Sequence, residues 1–222
     1  MAQPPLSSYS KCMDEVLSVN EIFLSLQGEG TRAGLPCAFV RLAGCNLRCR
    51  WCDTQYAWAP GQNMPLSAVL RQVADLDCRR VEVTGGEPMA QAATPGLLSR
   101  LCNAGFETLL ETNGSLDLSR VDARVVKIVD VKCPSSGHGD SFLPANLELL
   151  LDHDEVKFVL ADRADFDYAA AFISRHASLA KCERIFSPVV GSLEPATLVK
   201  WILDAKLDVR LGMQLHKIIH VR

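Results

Sequence analysis

Short apolar runs alternate with amphipathic segments along most of this chain. Runs rich in β-branched residues predict strands, and apolar residues three or four positions apart predict helices. Strands are predicted at residues 18–26, 38–42, 80–84, 108–112, 125–131, 155–160, 184–190 and 209–216. Helical spacing marks residues 66–73, 97–102, 147–151, 169–173 and 198–205.

This alternation of strands and helices predicts an α/β fold with a mainly parallel sheet. It supplies about six β/α units, and a complete eight-unit barrel typically takes about 250 residues. The chain has 222 residues, so we expect a partial, open parallel β/α barrel. Residues 1–17 are polar and aperiodic and predict a loose N-terminal arm. No linker or internal repeat divides residues 18–222, which are expected to form a single domain.

Composition excludes several classes of function. Apolar residues make up 48% of the chain and charged residues 22%, which is enough to build a globular core. The net charge of −3 disfavours a nucleic-acid partner bound through phosphate contacts. No apolar run reaches the roughly 18 residues of a membrane span. The N-terminus does not resemble a secretory signal, so we expect a cytoplasmic protein whose thiols stay reduced.

Three of the nine cysteines form a cluster in the sequence. Cys45, Cys49 and Cys52 have the spacing C-x3-C-x2-C directly after a predicted strand. Thiolates suit zinc or iron–sulfur clusters. Three thiolates would leave one iron of a [4Fe–4S] cluster open, and S-adenosylmethionine offers an amine and a carboxylate to bind it. The alternative is a zinc site whose fourth ligand, such as a histidine, lies elsewhere.

A double glycine ends the strand predicted at residues 80–84. Gly85 and Gly86 would let a ligand approach the backbone closely, and Glu87 could accept a hydrogen bond from an ammonium group. With the cysteine motif before it, Gly85-Gly86-Glu87-Pro88 resembles the GGEP motif of the radical S-adenosylmethionine superfamily. Trp51 occupies a position that is often aromatic in that superfamily.

The resemblance implies that the cysteine loop and the strand ends contact S-adenosylmethionine. The polar residues around 111–114 and 130–132 fit that role, although each group could also be a cap or turn former. The expected cofactor-binding residues are Trp51, Cys52, Asp53, Gly85, Gly86, Glu87, Asn113, Asp130, Val131, Lys132 and Ser187.

A narrower resemblance covers most of the chain after residue 20. Its specific parts are the LQGEG segment at residues 26–30 and the MQLHK segment at residues 213–217. They resemble the 7-carboxy-7-deazaguanine synthase family, whose enzymes act in the biosynthesis of the queuosine precursor preQ0. The resemblance implies a carbon–nitrogen lyase. A 5′-deoxyadenosyl radical takes hydrogen from 6-carboxy-5,6,7,8-tetrahydropterin, and ring contraction with ammonia loss gives 7-carboxy-7-deazaguanine.

The family resemblance also implies substrate and magnesium sites. Arg41 could pair with the substrate carboxylate, while Glu29 and Gln27 could bind the N–H groups of the pterin. Thr54 matches the position that binds Mg²⁺, although its hydroxyl could simply stabilise a turn. The remaining expected substrate contacts are Leu26, Gly28, Thr84, His216 and the C-terminal carboxylate of Arg222.

Two other functions remain open. A glycyl-radical enzyme activating protein would share the cysteine motif but act on a protein, and a non-catalytic zinc or iron–sulfur module would lack a substrate. The synthase resemblance further implies an electron donor such as flavodoxin or ferredoxin, and a homodimer. Arg48 and Arg50 are expected to be solvated or close to the cluster surface.

Overall fold

One nine-stranded sheet carries the fold in the computed structural model, which describes residues 14–221. The strands are β1 (Val16–Leu26), β2 (Pro36–Leu42), β3 (Gln62–Pro65), β4 (Arg80–Gly85), β5 (Glu107–Thr112), β6 (Val126–Asp130), β7 (Glu155–Leu160), β8 (Glu183–Pro188) and β9 (Arg210–Leu211). The helices are α1 (Leu66–Asp75), α2 (Thr94–Asn103), α3 (Arg163–Arg175), α4 (Pro195–Asp204) and α5 (Leu215–Ile218).

The sheet is open, with strand order β3-β1-β2-β4-β5-β6-β7-β8-β9. Strand β1 pairs antiparallel with β2 and β3, whereas every pair from β2 to β9 is parallel. The predicted α/β class and partial parallel barrel are therefore confirmed. No helix among residues 14–221 is both long and apolar enough to cross a membrane.

Two predicted elements differ in the structure. Residues 147–151 do not form a regular helix but belong to a 3₁₀ segment, Pro144–Leu149. The final strand was predicted at residues 209–216, yet β9 ends at Leu211. The chain then turns, because the Leu215 amide donates to the Gly28 carbonyl at 2.8 Å. This bond draws the C-terminal segment across the end of the sheet instead of along its edge.

The two faces of the sheet differ in polarity. Strand residues such as Val83, Leu110, Val129 and Phe158 are fully buried in the main core, together with residues of α1 to α4. The opposite face bears Glu82, Glu111, Asp130 and Lys157 among other residues that line a cavity. The helices therefore cover an apolar face, and the concave face is left for chemistry.

The predicted boundary of the N-terminal arm at residue 17 is wrong. Strand β1 begins at Val16, and Leu17 is fully buried opposite Met64 of β3. Before the strand, the Asp14 carboxylate accepts from the Ser67 amide at 3.0 Å. Val16 and Leu17 thus belong to the sheet and Asp14 is bonded to the start of α1, whereas residues 1–13 lie outside the described part of the chain.

We predict that Leu17→Ala lowers the free energy of unfolding by about 3 kcal/mol, because it leaves a cavity in the core. Val16→Ala is the matched control, since Val16 is 51% exposed on the same strand; its effect should stay within about 0.5 kcal/mol. Denaturant titration of both variants measures the difference. Equal stability of the two variants would contradict the integration of Leu17 into the core.

Candidate active site

A cavity of about 450 Å³ opens where the parallel strands end. Its walls come from the cysteine loop, the loop after β1, the strand ends and the C-terminal segment. This is the edge at which α/β enzymes place their chemistry. Predicted residues that line it are Gln27, Glu29, Arg41, Cys45, Cys49, Trp51, Cys52, Asp53, Thr54, Thr84, Gly85, Gly86, Asn113, Asp130, Lys132 and His216.

The three clustered cysteines form one wall of this cavity as free thiols. Burial raises the pKa of the Cys45 and Cys49 thiols, so binding of iron would have to supply the positive charge that deprotonates them. The soft donor set fits an iron–sulfur cluster. Within residues 14–221, no three His, Cys, Asp or Glu side chains form a ready-made site for a metal ion.

Gly85 and Gly86 must be glycine because two backbone segments lie in close contact there. A side chain at Gly86 would overlap the Gly44 carbonyl, and one at Gly85 would overlap the backbone of Leu42. The Glu87 amide instead donates to the Gly44 carbonyl at 2.8 Å. The glycines line the cavity as predicted, but they also dock the end of β4 against the start of the cysteine loop.

The predicted contact between the Glu87 carboxylate and an ammonium group is not supported. Glu87 is fully buried and is absent from the cavity wall. Its carboxylate accepts from the Met89 amide at 2.9 Å, and from the Thr112 hydroxyl and the Asn113 amide at 2.7 Å. The bonds from Thr112 and Asn113 join the glycine turn to the end of β5, so Glu87 stabilises the wall of the site from behind.

The strand ends give mixed outcomes for the other cofactor predictions. The Asp130 Oδ2 atom pairs with the Lys132 ammonium at 2.7 Å. Asp130 Oδ1 is buried without a hydrogen-bond partner in the described chain, and Asp130 lines the cavity, which suits a ligand hydroxyl. The Val131 side chain is fully buried in the core, so only its backbone could contact S-adenosylmethionine. The Ser187 hydroxyl is covered by Gly212, and Ser187 does not line the cavity.

A buried lysine organises the floor of the cavity. The Lys157 ammonium on β7 pairs with Glu111 on β5 and, at 2.9 Å, with Glu29 of the loop after β1. It also lies 3.9 Å from the Asp130 carboxylate. The Thr84 hydroxyl donates to Glu111 at 2.9 Å. One ammonium thus ties together two strands and the loop expected to bind substrate.

The protonation of the floor follows from this arrangement. Burial opposes ionisation of Glu111, but Lys157 and the Thr84 hydroxyl outweigh it and lower the pKa of Glu111 to about 2. Burial raises the pKa of Glu82 well above its usual range, and repulsion from Glu111 adds to that shift. Burial alone would lower the pKa of Lys157, yet its carboxylate neighbours raise it. Burial therefore favours the protonated form of Glu82, beside an ionised Glu111–Lys157 pair.

The substrate predictions divide into residues that face the cavity and residues that shape it. Arg41 lines the cavity while its Nε donates to the Glu21 carboxylate at 2.7 Å. The Gln27 amide is engaged by the protein at both ends, since it donates to Glu82 and accepts from the Glu29 amide at 3.2 Å. Gln27 therefore holds the loop in place, which disfavours the predicted role in binding pterin N–H groups.

The C-terminal segment closes the same side of the cavity. A side chain at Gly28 would overlap the His216 imidazole, so glycine is needed there for the histidine to pack. The Gln214 amide donates to Glu29 at 2.9 Å, and Lys217 pairs with Asp53 at 2.8 Å. Leu26 and Gly28 do not themselves line the cavity. Arg222 lies outside the described residues.

Sequence reasoning missed several residues of the site: Glu82, Lys157, Gln214 and Lys217. Glu111 entered only as one of the polar residues at the strand end 111–114. A signal existed for Glu82 and Lys157, because parallel strands covered on both faces are normally apolar and a charge inside one marks a special face. Lys127 shows the limit of that signal. It is also buried in a strand, but it pairs with Asp154 at 2.8 Å and does not line the cavity.

Comparisons with known proteins agree with this geometry. Residues 40–132 match the model of the Radical SAM superfamily. The chain is 49% identical to the 7-carboxy-7-deazaguanine synthase of Chlorobaculum tepidum, over 91% of this chain and 94% of that protein. It is 43% identical to the synthase of Koribacter versatilis, over 91% of this chain and 96% of that protein.

Two solved structures share the fold. The crystal structure of QueE from Escherichia coli matches with a TM-score of 0.76 at 23% identity, and the match covers 90% of this chain and 95% of that one. Streptococcus suis SuiB, in a structure bound to S-adenosylmethionine, matches with a TM-score of 0.55 at 15% identity. That match covers 77% of this chain and 48% of SuiB.

We predict that Glu111→Gln lowers the free energy of unfolding by about 2 kcal/mol at pH 7, because it removes a charged partner of Lys157. The pKa of Glu111 lies below its ordinary value of 4.5. Its stabilisation is therefore complete above about pH 4.5 and is lost as the pH falls towards 2. The difference from wild type should shrink across that window in denaturant titrations.

Glu148→Gln is the matched control, since Glu148 is exposed; its stability should differ little from wild type at any pH. A deficit in Glu111→Gln that stayed constant from pH 7 to pH 2 would contradict the assignment of the low pKa to Glu111.

Proposed function

We propose that this chain, which belongs to the 7-carboxy-7-deazaguanine synthase family of radical S-adenosylmethionine enzymes, converts 6-carboxy-5,6,7,8-tetrahydropterin to 7-carboxy-7-deazaguanine with loss of ammonia. This reaction makes it a carbon–nitrogen lyase of queuosine precursor (preQ0) biosynthesis. One observation carries the proposal. A single cavity has three free thiols on one wall and the charged group of Glu29, Glu111 and Lys157 on its floor.

The thiols of Cys45, Cys49 and Cys52 would hold the [4Fe–4S] cluster, and S-adenosylmethionine would bind beside them. When bound, these groups supply the 5′-deoxyadenosyl radical that takes hydrogen from the substrate. The glycine turn and Asp130 line the cavity, and the Oδ1 atom of Asp130 has no hydrogen-bond partner among the described residues. Their backbone and carboxylate oxygens can bind an ammonium group and a ribose hydroxyl.

The polar groups of the cavity suit a carboxylated pterin. A guanidinium carries five N–H donors, so Arg41 keeps donors for the substrate carboxylate while Glu21 holds its Nε. Glu29 can accept from pterin N–H groups because Lys157 and Gln214 fix its position. Glu29, Glu111 and Asp130 also line the cavity, and their carboxylate oxygens can accept hydrogen bonds from a donor-rich ligand edge.

The same cavity favours a small-molecule substrate over a protein substrate. Glu82, Thr84 and Lys157 are nearly inaccessible to solvent in the floor, where an activating enzyme for a glycyl radical would have to admit a peptide loop. Buried, paired polar groups of this kind recognise small molecules with matching donors and acceptors.

The proposal also covers a Mg²⁺ site, the electron donor and the oligomeric state. Thr54 faces the cavity with its hydroxyl 3.7 Å from the Cys52 sulfur, and Mg²⁺ there could bind the substrate carboxylate, since this ion takes few protein ligands. Reduced flavodoxin or ferredoxin would supply the electron. By the family resemblance we also propose a cytoplasmic homodimer.

The activity is tested by anaerobic incubation of the iron-loaded protein with S-adenosylmethionine, dithionite, Mg²⁺ and 6-carboxy-5,6,7,8-tetrahydropterin. We expect mass spectrometry to show 7-carboxy-7-deazaguanine. Glu29→Gln should lower kcat/KM by about tenfold or more while the cluster absorbance stays unchanged, because a charged hydrogen bond to substrate is lost. Cleavage of S-adenosylmethionine without any deazapurine would refute the substrate assignment.

The magnesium site makes a separate prediction. Thr54→Ala should abolish the increase in turnover that Mg²⁺ causes, while Thr54→Ser should retain it because the hydroxyl remains. Turnover is measured against Mg²⁺ concentration in both variants, with cluster absorbance as the check that the adjacent Cys52 still binds iron. A Mg²⁺ response in Thr54→Ala equal to that of wild type would rule out this ligand.

A further inference from the structure

A chain of hydrogen bonds runs along one wall of the cavity. It starts at the buried Lys157 ammonium, which donates to Glu29 Oε2 at 2.9 Å. The Gln214 side-chain amide donates to Glu29 Oε1 at 2.9 Å, and its side-chain oxygen accepts from the Lys217 ammonium at 2.7 Å. The Lys217 ammonium also pairs with Asp53 Oδ2 at 2.8 Å. The chain therefore joins the floor of the cavity to the end of the cysteine loop.

Two separate parts of the site meet at this chain. Glu29 belongs to the loop that is expected to bind the pterin, and Asp53 follows directly after a cysteine that would hold the cluster. All five residues of the chain line the cavity. Reacting atoms have to lie within about 3–3.5 Å of each other, so the spacing of the substrate loop and the cysteine loop matters to the reaction.

The turn after β9 sets the direction of Lys217. The Leu215 amide donates to the Gly28 carbonyl at 2.8 Å, which fixes the start of α5 against the loop after β1. The Lys217 amide donates to the Gln214 carbonyl at 3.0 Å, so the two side chains leave the same turn. The Lys217 side chain is 33% exposed and that of Asp53 is 51% exposed. A pair so open to solvent adds little stability, so its place in the cavity matters more than its energy.

We infer that Lys217 is a positioning residue, which sets the distance between the pterin and the radical source by tying the substrate loop to Asp53. The inference rests on the proposed function, because only the radical reaction needs the pterin and S-adenosylmethionine in register. Without the Lys217 ammonium, the substrate loop keeps its bond to Lys157, but it loses this connection to the cysteine loop. The pterin should then still bind, while its reacting C–H bond lies out of line with the radical.

Lys217→Met tests the inference, because it keeps most of the side-chain length and removes the charge. In anaerobic turnover of the iron-loaded protein, we expect the ratio of 5′-deoxyadenosine released to 7-carboxy-7-deazaguanine formed to rise about tenfold. A radical with no pterin C–H bond in reach takes hydrogen elsewhere and is released as 5′-deoxyadenosine. The KM for the pterin should change less than about twofold, whereas kcat should fall about tenfold. Lys217→Arg should restore both values, since a guanidinium can still pair with Asp53.

Lys200→Met is the matched control. Lys200 pairs with the exposed Asp204 on α4 at 2.6 Å, so the same substitution breaks a pair of the same kind outside the cavity. Hydrogen–deuterium exchange adds a readout that needs no turnover. In Lys217→Met, peptides that cover residues 26–35 and 212–221 should exchange about threefold faster than in wild type. Lys200→Met should leave the exchange of both peptides and the product ratio unchanged.

A second variant distinguishes one connected chain from independent contacts. Gln214→Leu removes the link between Glu29 and Lys217, so it should raise the ratio of 5′-deoxyadenosine to product by itself. Adding Lys217→Met to Gln214→Leu should raise that ratio no further, because both substitutions break the same chain. Two effects that multiply in the double variant would overturn the inference.

The outcomes separate the two proposals. A raised KM in Lys217→Met with an unchanged product ratio would mean that Lys217 contacts the substrate itself, and would overturn the positioning role. Equal effects of Lys217→Met and Lys200→Met would overturn it as well. A wild-type protein that cleaves S-adenosylmethionine without forming deazapurine would instead overturn the proposed function. The exchange of residues 26–35 would then still decide whether Lys217 holds the two loops together.

Discussion

The ammonium group of Lys157 is the interaction on which the site depends most. It is buried on β7 and joins Glu111 of β5 to Glu29 of the loop after β1. An unpaired charge at this depth would be strongly unfavourable, so the lysine and its carboxylates must assemble together. Their assembly fixes the loop across the concave face of the sheet, and the loop thereby forms one wall of the cavity.

A second constraint acts at the other wall. The turn at Gly85 and Gly86 lies so close to the end of β2 and the start of the cysteine loop that a side chain at Gly85 would overlap the Leu42 backbone and one at Gly86 the Gly44 backbone. Glu87 then connects the same turn to the end of β5 through two hydrogen bonds. The wall that would hold the cluster and the floor that would hold the substrate are therefore both attached to β5, and their spacing is set by the sheet.

The sequence allows the scaffold to be predicted more fully than the site. Apolar periodicity located the parallel strands, and the cysteine and glycine motifs located one wall, because each depends on residues that are close in the chain. The floor depends on pairs distant in sequence, such as Lys157 with Glu29, which no local pattern reveals. Local chemistry also misassigned Glu87, because a carboxylate beside a glycine turn can face the core as easily as the ligand. The turn after Leu211 was missed because it depends on the bond from Leu215 to Gly28.

The central claim is that radical source and pterin share one cavity, and isotope transfer tests it most directly. Loss of ammonia accounts for the whole difference in composition between substrate and product, so the hydrogen atom that the radical takes must be returned before product is released. Substrate deuterated in its reduced pyrazine ring is turned over anaerobically, and the 5′ carbon of recovered S-adenosylmethionine and of any 5′-deoxyadenosine is analysed by mass spectrometry. If both ligands bind in the cavity between the cysteine wall and the Lys157 floor, deuterium from the pterin should accumulate at that carbon as product forms. Formation of 7-carboxy-7-deazaguanine while both molecules stay free of deuterium, whichever ring position carries the label, would contradict the account.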